Sequence, residues 1–103
     1  MEIIVKLVGL IDEELDGAKH YIKMARRERE TYPQLSDAFA ELAEAEMGHV
    51  KTLHTEATRI IEEYKAQKGE PPAEMLAIYN YEHEKQINCA AKIKQMISEY
   101  RKS

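Results

Sequence analysis

The chain has 103 residues, a net charge of −4 and a pI near 5.6, which is one domain's worth of sequence. Hydrophobic residues make up 44% and charged residues 33%. No block of five like charges occurs, which argues against nucleic acid as a partner. The single cysteine, Cys89, leaves no internal disulfide and no C-x-x-C for zinc, and fits a reducing cytoplasm. No segment approaches the ~20 apolar residues of a membrane span.

The first element is a helix over residues 2–30. Its opening run, Ile3-Ile4-Val5-Lys6-Leu7-Val8, is only superficially like a signal peptide. It lacks a basic start, and Asp12-Glu13-Glu14 follows at once. Ile4, Leu7, Ile11, Glu14, Ala18, Tyr21 and Ala25 form a stripe at the spacing of a bundle-facing surface. Glu14 sits in its centre, where an apolar residue is expected. The first eleven residues are apolar on more than one face, which suggests a subunit interface. A fully covered helix end is the plainer alternative.

Tyr32-Pro33 breaks the chain before a second helix over residues 33–68. Thr31 and Gln34 read as its capping box. The stripe here is Leu35, Phe39, Leu42, Glu46, His49, Leu53, Ile60 and Tyr64. Glu46 and His49 interrupt it as E-x-x-H. Residues i and i+3 share a helix face, so both can hold one ion.

Lys68-Gly69-Glu70-Pro71-Pro72 ends the second helix and admits a third over residues 72–101. Its stripe is Leu76, Tyr79, His83, Gln86, Ala90, Ile93, Ile97 and Tyr100. The expectation is an all-α, antiparallel three-helix chain, with helices about 45–54 Å long at 1.5 Å per residue.

Short turns make successive helices antiparallel neighbours. Counting from a turn between Thr31 and Tyr32, Glu14 lies 17.5 residues before it, and Glu46 and His49 lie 14.5 and 17.5 after it. Those levels differ by at most ~4.5 Å. A turn centred near residue 70 puts Ala90, Ala91, Ile93 and Lys94 of the third helix opposite them. His83 then falls about 12 Å away along the axis. The third helix therefore adds no obvious ligand.

Glu14, Glu46 and His49 are thus candidate metal ligands. Carboxylates with imidazole and no thiolate suit iron, with manganese fitting the same donors, better than zinc. E-x-x-H alone is a weak signal. A second carboxylate, Glu14, at the same level makes it specific. The alternative is a non-catalytic interaction module in which Glu14 pairs with His49 in the interior. A weaker second metal site at His83 with Glu82 and Glu56 is less expected than a satisfied histidine. His20 with Asp16 reads as a solvated pair, His54 as exposed, and Cys89 as a small core residue.

Two segments resemble a known family. They are Glu14-x-x-Gly17-x-x-x-Tyr21 and Tyr32-x-Gln34-Leu35-x-x-x-Phe39-x-x-x-Ala43-x-x-Glu46-x-x-His49. Over about residues 10–65 the chain resembles the ferritin-like superfamily, most of all rubrerythrin-type domains. The resemblance implies a terminal carboxylate at Glu14, a metal-bridging carboxylate at Glu46 and an imidazole ligand at His49. Tyr21 would hydrogen-bond a ligand carboxylate. It also implies a di-iron centre with ferroxidase or peroxidase-like activity. The family draws a second Glu and a second E-x-x-H from two further helices, and this sequence has no second motif. A homodimer, or a higher symmetric oligomer, with two irons per dimer would supply the missing half. The half-ferritin proteins packaged inside encapsulin shells share this logic, which adds a protein shell to the implied partners. Without rubredoxin-type cysteines, an electron donor would be external.

Overall fold

The computed structural model describes residues 1–103 as three helices and no strands. They are α1 (Glu2–Glu28), α2 (Pro33–Lys68) and α3 (Ala73–Lys102), each bound within two residues of the expected one. The bundle measures 55 × 20 × 17 Å. α1 and α2 form the most extensive pair, α3 lies mainly on α1, and α2 and α3 touch least. No helix is long and apolar enough to cross a membrane.

The two connections have different chemistry. α2 starts on Tyr32 with Pro33 in its first turn, and no side chain caps it. The expected capping box does not form. Pro33 supplies a preset φ and lacks the N–H that a cap would satisfy. It also places Gln34 at the second helical position, one short of a capping box. α2 ends on Gly69 at φ +81° and ψ −165°, with its N–H donating to the Lys65 carbonyl. That conformation is essentially restricted to glycine, although a Cβ there would meet nothing within 4 Å. Gly69→Ala should therefore cost about 1–3 kcal/mol through the backbone alone, read as a lower denaturation midpoint with unchanged helicity.

The buried seam of α1 is Ile4, Leu7, Ile11, Leu15, Ala18, Ile22 and Ala25. This corrects the expected stripe. Leu15 and Ile22 occupy the core where Glu14 and Tyr21 were expected, and the latter two are half-buried beside it. α2 answers with small residues, Ser36, Ala40, Ala43 and Ala57, which let the α1 side chains seat close to its backbone. The core falls into three groups along the axis. Ile4 and Leu7 pack with Ala57 and Ile61 at one end. Ile11, Leu15 and Ala18 pack with Ile93 in the middle. Ile22 and Ala25 pack with Ala40, Ala43 and Tyr100 at the other end. Each large aliphatic side chain buried this way contributes about 2 kcal/mol.

Buried polar groups fix how α3 docks. Ser36 Oγ donates to the Ala25 carbonyl and lies 2.8 Å from the Tyr100 hydroxyl. The serine has one proton and gives it to α1, so the tyrosine donates to Ser36 or to Asp37 at 3.3 Å. Arg101 then bridges Asp37 and Glu44. Further along, Gln86 Nε2 donates to the Val8 carbonyl at 3.0 Å and to Asp12 at 2.9 Å. Gln86, a polar residue in the α3 stripe, is thereby the clip between α3 and α1.

A second seam runs along α1 and α2 on the side that α3 leaves open. On α1 it is Ile3, Leu7, Leu10, Glu14, Gly17, Tyr21 and Met24, at alternating spacings of four and three. On α2 it is Leu35, Phe39, Leu42, Glu46, His49, Leu53 and Ile60. Ile3, Leu10, Leu35 and Leu42 on it are 44–46% exposed. Heptad spacing of this kind belongs to helices that pack against a partner.

Candidate metal centre

The centre is built on that second seam. Glu14 reaches across from α1, and Glu46 and His49 project from one face of α2. His49 Nδ1 lies 3.3 Å from Glu14 Oε2 and 3.5 Å from Glu46 Oε1. One ligand atom from each of the three falls within 4.8 Å of the others. No other group of three His, Cys, Asp or Glu side chains in the chain does so. α3 contributes nothing to it, as the axial count indicated.

The three side chains are not interior. Those of Glu14 and Glu46 are 28% and 23% exposed, and that of His49 is 59% exposed. The expectation of three polar groups replacing core residues is corrected accordingly. They stand at the open edge of the α1–α2 pair. The Glu14–His49 pair exists, but at that exposure such a pair contributes little to stability.

Two carboxyl groups this close cannot ionise independently. Hydrogen bonding with Glu46 holds Glu14 below the ordinary carboxylate range, outweighing its partial desolvation, with His49 assisting. The same hydrogen bond, reinforced by desolvation and by the Glu14 charge, raises Glu46. A cation entering the cluster competes with protons for these carboxylates. Metal affinity should accordingly fall as pH drops through the raised Glu46 range and level off above it. Calorimetry in buffers of differing ionisation enthalpy should show proton release on binding at mildly acidic pH.

Gly17 makes the close approach of Glu46 to α1 feasible. A Cβ at this position would stand 2.9 Å from Glu46 Oε2. Alanine raises helix propensity by about 1 kcal/mol over glycine, and only the end of a flexible side chain would have to move. Gly17→Ala should therefore fold as stably as the parent or more so. Its metal affinity should nevertheless fall by about tenfold or more, because the carboxylate is displaced. Thermal unfolding and a competitive metal titration on the same sample separate the two effects.

Tyr21 does not play the part expected of it. Its hydroxyl makes no hydrogen bond to Glu14 or Glu46. The ring stacks on Phe39 at 6.2 Å and 23° and packs against the upper core group. His83 also departs from expectation, stacking on His54 at 4.5 Å and 7°. That lies about one helical turn from the level set by a turn centred at residue 70. His54 is half-buried rather than exposed. Glu82 is engaged by Lys85 and Glu56 by Arg59, so no second metal cluster forms around His83. Cys89 is half-buried against the middle core group.

Compared with known proteins, the chain matches no family model, no curated sequence and no solved structure.

Proposed function

We propose that two copies of this chain, related by a two-fold axis, close one di-metal carboxylate site and reach a ferritin-like arrangement by dimerisation. The observation that carries this reading is the convergence of Glu14, Glu46 and His49 within 4.8 Å on an open face. The donor set fits the metal. Two carboxylates held this close gain from a cation between them, and oxygen with imidazole suits iron or manganese. Three protein ligands per chain leave an isolated ion under-coordinated. A second copy brings the same three ligands to the same axis.

In this reading Glu46 and Glu14 would supply the carboxylates that hold the ions, and His49 would supply the imidazole. Bound as Fe(II), the pair of ions supplies two electrons, one from each, to dioxygen or peroxide. The chain's own residues hold the site. Gly17 lets Glu46 reach α1, and the apolar seam of Leu10, Leu42 and Phe39 would exclude water once covered. The activity is ferroxidase or peroxidase-like, with any further electron donor external to the chain.

Anaerobic Fe(II) titration followed by exposure to air tests this. One iron bound per chain and Fe(II) oxidation faster than buffer are the expected results. No iron bound and no oxidation above buffer would leave the cluster as an exposed Glu–His pair on a structural module.

A further inference from the structure

A cleft lies on the neighbouring face of α2, where α2 and α3 diverge. The cleft between them has a volume of about 300 Å³, at the lower end of small-molecule pockets. Its apolar surface comes from Met47 and Val50 of α2, Ile87 and Ala90 of α3, and Ile11 of α1 beneath. Its charged and titratable lining is Lys51, His54, His83 and Lys94. No Asp or Glu lines it, in a chain with 19 acidic residues and a net charge of −4.

These polar groups are uncommitted. Lys51 and Lys94 take part in none of the ion pairs of the fold. The rings of His54 and His83 stack, with Tyr79 on the far face of His83 at 5.6 Å. Neither imidazole makes a hydrogen bond within the chain, and both residues line the cleft. Burial and the neighbouring His54 also hold His83 below the ordinary imidazole range.

We propose that this cleft binds a small amphipathic anion, a carboxylate carried on a short aliphatic body. The apolar wall takes the body, and the lysine and histidine donors take the acid group. Two ammonium groups supply attraction that a neutral molecule of the same shape would lack. The other large groove, about 670 Å³ between the starts of α1 and α3, is lined by Asp12, Glu74 and Glu82 and would repel the same ligand. The proposal is independent of the metal reading, since it uses none of the three clustered ligands and concerns the metal-free protein.

The test is a titration of the metal-free chain with octanoate, followed by amide NMR shifts, beside octanamide and acetate as separate arms. Saturable shifts confined to residues 47–54 and 83–94 are expected, with octanoate binding more tightly than either control. Lys51→Met with Lys94→Met should weaken octanoate by roughly tenfold while leaving helicity unchanged. Ile87→Glu, at a position 53% exposed, should abolish binding by placing a negative charge in the cleft. Octanamide binding as well as octanoate would overturn the proposal. So would shifts centred on residues 1–12 and 72–82, or undiminished binding by either variant.

Discussion

Replacing Leu10 and Leu42 together with lysine should abolish high-affinity metal binding without unfolding the chain. Neither side chain holds a ligand atom. Each is 44% exposed, so removing it costs a lone chain little. Each sits one helical turn before a proposed ligand, Leu10 before Glu14 and Leu42 before Glu46, on the same seam. In a two-fold pair both positions occur twice. Four ammonium groups would then have to be buried without partners, which is far costlier than losing the leucines. We expect unchanged helical circular dichroism, a monomer in sedimentation, and iron affinity reduced by about a hundredfold or more. Val5→Lys with Ile78→Lys is the matched control. Those residues are 72% and 66% exposed but line the groove between α1 and α3, so iron binding should be unaffected. Normal iron binding by the Leu10/Leu42 variant would mean that one chain suffices.

Glu46→Ala should reduce bound iron from one ion per chain to at most one per two chains, and Fe(II) oxidation to the rate in buffer. The reason is that Glu46 supplies one of only two carboxylates per chain in the cluster, 3.5 Å from His49. Without it two chains together offer two carboxylates and two imidazoles, enough donors for one ion but too few for a pair. The metal-free variant should be no less stable than the parent. Removing Glu46 relieves the like-charge contact that raises its own proton affinity and leaves the small exposed surface of an alanine. Glu46→Gln makes the same point with side-chain volume preserved. One iron per chain retained by either variant, with oxidation above buffer, would show that Glu46 does not act as a metal-bridging carboxylate.

The helices were legible because their punctuation is unambiguous. Pro33 can only begin a helix, and Gly69 adopts a conformation that other residues avoid. The axial level of the cluster was legible too, since a tight first turn makes it a matter of counting residues. Azimuth was not. Ile11, Leu15, Ala18 and Ile22 run beside Leu10, Glu14, Gly17 and Tyr21, one residue apart. A single stripe with mixed three- and four-residue steps can pass from one seam to the other. Only packing separates the seam that α3 covers from the one it leaves open. That separation moved Glu14 from the core to its edge and explains the surplus of apolar residues at the start of α1. The Gly17–Glu46 approach was unreadable for a related reason, because it depends on how closely two particular turns meet. The His54–His83 stack depended on the register of the second turn, where Pro71 and Pro72 delay the start of α3 to Ala73.

The central claim is that the three clustered ligands are half of a site. Native mass spectrometry of the anaerobically iron-loaded protein tests it most directly, because it counts chains and ions in one particle. The account predicts a species of two chains and two irons that is lost in Glu46→Ala. Iron carried by single chains, or a dimer that forms equally well and takes up no iron, would contradict it.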